Sequence, residues 1–214
     1  LTVPSDELWS YEVGVKRVLV SGQLFVEGAL YYQDWRGNRQ SVSYSGIGAA
    51  YQVGDAAVPG IDIGLSYTPG SARGLTVQAN ANWNDAHFTR LDPAISAATG
   101  VEAGDRLPAV PEWTASFMAR YQWSLSSGWM GTASVGYSHL DAQPGQFGSS
   151  AVGDSRDLLR VHLGCSKGSF GINLFAKNLL NEAGAISVET PVDGLPISTR
   201  DYPRQVGLEI SYGF

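Results

Sequence analysis

The sequence is short of nearly everything that marks a soluble enzyme or a helical membrane protein. One cysteine, Cys165, supports no disulfide framework. Three histidines, His87, His139 and His162, stand far apart without metal-ligand spacing, so neither a metal centre nor a cofactor is expected. No run approaches 18 apolar residues, which excludes a transmembrane helix but not a wall of strands, whose signal is alternation. Basic residues are in the minority, 14 Lys and Arg against 20 Asp and Glu, giving a net charge of -6. Without a clustered basic face, no nucleic-acid partner is expected. The amino-terminal residues lack a basic segment followed by an apolar one, so no signal peptide is read. Leu1 is not a start methionine, and the chain is expected to be mature or a piece of a longer one. The segment Gly164-Cys165-Ser166-Lys167-Gly168 fits a Gly-x-Ser-x-Gly nucleophile pattern, but that motif needs a strand, a sharp turn and a helix. Strand-like segments flank it on both sides, so Ser166 is read as inert.

What is present is period-two alternation. From Leu75 to Trp83 every odd position is apolar and every even one polar. The same parity recurs at Ala115, Phe117, Ala119, Tyr121 and Trp123, and at Trp129, Ala133, Val135 and Tyr137. It returns at Leu159, Val161, Leu163 and Cys165, and at Val206, Leu208, Ile210, Tyr212 and Phe214. Less regular strands are expected over 9–20, 23–35 and 170–178. An irregular stretch from Gly46 to Tyr67 is read as interrupted between Gly54 and Gly60. The total is about nine antiparallel strands.

Connection lengths give the sheet a polarity. Ser21-Gly22, Pro69 to Arg73, Ser124 to Gly128 and Lys167-Gly168 are short, whereas 87–108, 141–154 and 179–203 are long. Short turns on one rim and long loops on the other are the pattern of an outer-membrane barrel. Aromatics agree: Trp113 and Tyr121, Trp129 and Tyr137, and Leu75 and Trp83 are each eight residues apart on the apolar face. Eight residues cover roughly 26 Å of strand, which a tilt near 40° projects to about 20 Å. That approaches the apolar band of about 25 Å between aromatic girdles. The alternative is a soluble β-sandwich with these aromatics in its core. In a barrel the first strand starts on the external side and the last ends on the short-turn side, which requires an odd strand count. Bacterial barrels of one chain are normally even-stranded, so the chain is expected to be the trailing part of a larger barrel.

Several segments then carry a family resemblance. They are Glu7-Leu8-Trp9-Ser10-Tyr11-Glu12-Val13-Gly14-Val15-Lys16, Tyr31-Tyr32-Gln33-Asp34-Trp35, Gly60-Ile61-Asp62-Ile63, Gly104-Asp105-Arg106-Leu107-Pro108, Val110-Pro111-Glu112-Trp113, Phe175-Ala176-Lys177-Asn178-Leu179-Leu180-Asn181-Glu182 and Tyr212-Gly213-Phe214. In this order the sequence resembles the C-terminal part of a TonB-dependent outer-membrane receptor. Gly60-Ile61-Asp62 replaces the family's usual Gly-Val-Glu and keeps the carboxylate.

The resemblance implies an all-β fold, an antiparallel transmembrane β-barrel of about 22 strands with a plug inside. Residues 1–214 would supply its last nine or so strands, without the plug. It implies no catalysis but TonB-coupled import of a scarce nutrient, commonly a ferric siderophore, into a Gram-negative cell. The partners implied are outer-membrane lipid, the TonB complex acting through the plug, the barrel-assembly machinery and a small solute, with a monomeric state. Phe214 is expected to be the assembly signal or else an ordinary girdle aromatic.

Candidate solute-binding residues near the long-loop rim are Trp83, Asn84, His87, Asp105, Arg106, His139, Asp141, Arg200, Asp201 and Tyr202. Asp105 and Arg106 read equally well as a structural pair fixing the return into the next strand. Candidate lumen-lining residues are Glu12, Lys16, Asn80, Asn82, Arg120, Arg160, His162, Lys177 and Glu209, which line a path or only solvate the wall and bond the plug. Two rival functions stay open: a small outer-membrane barrel enzyme, which needs clustered His with Asp or Ser, and a passive porin.

Overall fold

Alternation dictates most of what is observed. The computed structural model describes residues 5–44, 47–189 and 197–213. The elements are β1 (Glu7–Leu19), β2 (Leu24–Tyr44), β3 (Ile47–Tyr67), β4 (Leu75–Asn84), β5 (His87–Leu91), a helix α1 (Pro93–Thr99), β6 (Trp113–Ser124), β7 (Met130–Leu140), β8 (Arg156–Lys167), β9 (Phe170–Lys177), β10 (Ala185–Glu189), β11 (Ile197–Arg200) and β12 (Gln205–Tyr212).

Nine strands pair in the order β1-β2-β3-β4-β6-β7-β8-β9-β12, with β5 added alongside β3, while β10 and β11 form a separate hairpin. Every pairing is antiparallel. Among the described residues no helix is long and apolar enough to cross a membrane. The wall is made of strands.

Directly paired residues share a face, so the ladder assigns faces without ambiguity. One face carries the row Val13, Leu30, Ile61, Trp83 and Trp113, and further down the row Tyr121, Ala133, Leu163, Leu174 and Leu208. Its apolar side chains are largely uncovered, among them Val13, Ile63, Leu163, Leu174, Leu208 and Ile210. An apolar band of that extent suits lipid rather than water. Its two ends are aromatic. Trp83 and Trp113 pack with ring centroids 6.4 Å apart on the long-loop side, while Trp129 meets Phe170 at 6.0 Å and Tyr121 stacks on Trp123 at 5.4 Å on the other.

Two expectations about the chain's course are corrected. The stretch from Gly54 to Gly60 does not interrupt a strand: β3 runs unbroken from Ile47 to Tyr67. Both glycines are strand residues that clear space. A Cβ at Gly54 would collide with the backbone of Arg90 on β5, and one at Gly60 with the ring of Tyr31. β2 and β3 thereby extend as a hairpin well past the end of β4. The segment 87–108 is likewise no plain loop, because it holds β5 and α1. Asp92 caps α1 by accepting from the Ala94 and Ile95 N–H groups, Pro93 opens it, and Gly100 closes it at φ 74°.

The packed core lies beyond the band, among the long loops. Val53, Ala56, Ala86, Phe88, Leu107 and Phe147 are buried there, with Trp35, Leu91, Ile95 and Val110 against them. Phe88 and Phe147 meet edge to face at 5.4 Å. Because a wall one sheet thick has no interior, burial concentrates where loops fold over one another.

Candidate functional site

The long-loop rim is organised around Arg106. Asn84 ends β4, and its side chain donates to the Pro111 carbonyl at 3.0 Å and to Asn82 Oδ1 at 3.2 Å. Arg106 donates to the Asn84 carbonyl at 3.1 Å and to Asp85 Oδ1 at 3.2 Å, with Glu112 Oε2 at 3.7 Å. Glu112 Oε1 in turn accepts from Trp83 Nε1 at 3.1 Å. Trp83, Asn84 and Arg106 are thus brought together, but as a closed network that ties the end of β4 to the start of β6. Asp105 does not join it. Its carboxylate accepts from the Glu102 N–H at 2.8 Å, so the two neighbours in sequence serve different turns. Asp85 and Glu112, the carboxylates that hold Arg106, are absent from the sequence candidates. Glu112 was visible inside the Val110-Pro111-Glu112-Trp113 segment.

The other rim candidates scatter. His87 Nδ1 lies 2.7 Å from the Asp85 carbonyl. His139 stands on the apolar face, paired across the ladder with Asp157, whose Oδ1 lies 2.8 Å from His139 Nδ1 and accepts from the Tyr137 hydroxyl at 2.6 Å. Asp141 accepts from the N–H of Ala142 at 3.0 Å. Asp201 pairs with Arg156 at 2.7 Å, while Arg200 on β11 and Tyr202 are exposed. The carbonyl of Tyr202 accepts from Asn178 Nδ2 at 2.9 Å, and that same amide bonds both the N–H and the carbonyl of Glu182 at 2.8 Å. The segment 178–182 is therefore a staple between the exit of β9 and the approach to β12.

Two of the open grooves on the polar face hold most of the lumen candidates. The larger, about 560 Å³, is lined by Glu12, Lys16, Glu27, Asp62, Asn80 and Asn82 among others. Lys16 and Glu27 lie 3.4 Å apart, and Asn82 Nδ2 donates to Asp62 at 2.7 Å and to the Tyr31 hydroxyl at 2.9 Å. The second, about 530 Å³, takes Gln78, Met118, Arg160, His162, Phe175 and Lys177. Arg120 lies on the same face one ladder row further, opposite Ser134, and Glu209 lies on β12 opposite Asn173. Phe214 lies outside the described residues. Among the described residues no group of His, Cys, Asp and Glu is placed to hold a metal ion.

A two-faced sheet with polar grooves, an apolar band and one loop-rich rim fits one family. Residues 7–178 match the profile described as TonB dependent receptor-like, beta-barrel. The chain belongs to the TonB-dependent receptor β-barrel family. It is accordingly a protein of the Gram-negative outer membrane, and its loop-rich rim is the external one. Solved structures of similar fold include the ferric yersiniabactin uptake receptor FyuA of Yersinia pestis, with a TM-score of 0.80 at 15% identity over 98% of this chain and 30% of that one. The ferric-catecholate import receptor Fiu of E. coli K12 gives a TM-score of 0.72 at 18% identity over 99% and 28%. The copper transporter OprC gives 0.70 at 13% identity over 98% and 31%. The chain spans about 30% of the length of FyuA. Among curated protein sequences none matches it. Within this receptor wall, Trp83 and His139 sit on the lipid side, whereas Asn84 and the two grooves sit on the other.

Proposed function

We propose that the chain is the C-terminal barrel segment of a receptor that binds a scarce nutrient, a ferric siderophore, on its external face and imports it with TonB-coupled energy. The observation that carries the reading is the wall itself: one continuous polar face opposite an apolar band, capped by loops packed into a core. Such a wall supplies a path, while a plug supplied by the rest of the receptor would close it and connect to the TonB complex. The siderophore assignment is supported by the family and by what FyuA and Fiu are named for. In this reading the protein is a monomer in outer-membrane lipid, inserted by the barrel-assembly machinery through its last strand and Phe214.

The test is import of radioiron by the native strain from its own iron-starved culture supernatant. Deletion of the whole receptor gene should abolish import, and so should disruption of tonB. Unchanged import in the deletion strain, where the parent strain carries the receptor in its outer membrane, would sink the reading.

A further inference from the structure

The polar face is divided by charge. On β1 to β4 the charged side chains lining the larger groove are Glu12, Lys16, Glu27 and Asp62, and Lys16 lies 3.4 Å from Glu27. On β6 to β9 the same face carries Arg120, Arg156, Arg160, His162 and Lys177 and no carboxylate. Arg156 is paired with Asp201. Arg120, Arg160 and Lys177 are exposed, and among the described residues none has a carboxylate at ion-pair distance. The next acid on that side is Glu209 of β12, two rows nearer the short-turn rim.

Two of these cations are cross-strand neighbours. Arg160 and Lys177 sit one step beyond the Val161–Ala176 pair of the β8–β9 ladder, and both line the 530 Å³ groove. Like charges so placed repel unless an anion lies between them. Ladder spacing puts the Cα of Arg120 roughly 12 Å from that of Arg160, so all three bound one patch. Its floor is apolar: Met118 and Phe175 line it, with the Lys177 ammonium 5.3 Å from the Phe175 ring centroid. Cations around an aromatic and a thioether suit a small anion with aromatic surface.

We infer that the β6–β9 wall is an anion-binding track, and that the solute carried along it is a negatively charged chelate with aromatic donor groups. This rests on the receptor reading above and names the solute's charge class.

Radioiron uptake by cells producing the whole receptor, in a TonB-competent host without other ferric-chelate receptors, tests it with two probes: a trianionic ferric tris-catecholate and a neutral ferric tris-hydroxamate. The wild type should import the anionic chelate and discriminate against the neutral one. The Arg160→Gln/Lys177→Gln variant should lose about tenfold or more of that import, as expected for removing charged hydrogen bonds. The charge-keeping Arg160→Lys/Lys177→Arg variant should retain it, and heat-modifiable electrophoretic mobility establishes that each barrel has folded. Equal import of both probes, or undiminished anionic import by the neutralised variant, would overturn the proposal. So would an equal fall for both probes, which would mean that the cations seat an acidic segment of the plug. Import from native supernatant alongside such a result would leave the receptor reading standing.

Discussion

Arg156 at the start of β8 and Asp201 just after β11 are joined at 2.7 Å, with only 14% and 21% of their side chains exposed. The pair bolts together two external loops far apart in sequence, and bonds between side chains and backbone reinforce it: the Ala185 N–H donates to Asp154 Oδ2 at 2.8 Å, and Gln143 Nε2 donates to the Ile186 carbonyl at 3.1 Å. Among the described residues Arg156 Nε is buried without a partner, so Asp201 carries most of the compensation for burying the guanidinium. Asp201→Asn should cost the junction about 2 kcal/mol. Limited proteolysis within 178–204 should then accelerate by roughly 30-fold at unchanged heat-modifiable mobility. Equal cleavage rates would show that the bonds made by Asp154 and Gln143 hold the loops together without the ion pair.

Arg106 should be as local in its effect. Arg106→Gln leaves Asp85 and Glu112 without their shared cation and removes the donor to the Asn84 carbonyl. Hydrogen exchange should speed up at the Leu107 and Phe88 N–H groups, which bond Ala86 and Asp105 carbonyls at 2.9 Å, while β7 amides keep their protection. Loss of protection throughout β7 would instead make Arg106 a determinant of the barrel itself.

Acid should loosen the same side of the molecule through Asp55, which lies on the external extension of β3 beyond the end of the β4 ladder. Burial pushes its carboxyl up, but the Gly37 N–H, the Arg90 guanidinium and the nearby charge of Arg36 outweigh burial and hold it below the ordinary value of 3.8. A carboxylate lowered in the folded state stabilises fully above the ordinary value, and that contribution is withdrawn as pH falls through the lowered one. β5 should therefore lose exchange protection below about pH 4, and Arg90→Ala should move that loss to higher pH. A pH-independent β5 would remove Asp55 as its anchor.

How much of this was legible depends on what each residue answers to. Where one face meets lipid and the other water, as at Leu75 to Trp83, a strand announces itself, and β4, β6, β7, β8, β9 and β12 lie within a few residues of their expected bounds. Beyond the membrane that constraint disappears. Gly54 and Gly60 look like breakers because their reason, the approach of Arg90 and Tyr31, is a long-range contact that alternation does not encode. At the rim, too, the deciding contacts are long-range. Asp105 and Arg106 are adjacent in sequence, yet the partners of Arg106 are Asp85 and Glu112, and only the fold brings these together. His139 lies near the rim end of β7, and the odd parity it shares with Tyr137 and Ala115 puts it on the apolar face.

The tight approach at Gly54 can be tested directly. Gly54→Ala puts a methyl group into the Arg90 carbonyl, which is backbone and cannot swing aside, so β5 should detach from β3. Gly136→Ala, whose Cβ would find nothing nearer than about 4.0 Å, is the matched control. Proteolytic cleavage within 87–108 should rise in the first variant alone; resistance in both would mean that β5 is held by Phe88 in the loop core rather than by its ladder.

The two faces of the wall make opposite demands on one neighbouring pair. Val161 lies on the apolar face between Val135 and Ala176, near the middle of the band, whereas His162 lies on the polar face between Ser134 and Phe175. An arginine at 161 must place its charge in hydrocarbon, at a cost of about 2–4 kcal/mol near the bilayer midplane. At 162 it faces water and Asn173, the present partner of the histidine at 3.2 Å. Val161→Arg should therefore lower the folding equilibrium constant of the whole receptor in lipid refolding assays by roughly 30-fold or more, while His162→Arg should refold as the wild type does. If both refold equally, the face carrying Leu163 and Leu174 is not against lipid. If only His162→Arg fails, the wall is inside out relative to the ladder described above.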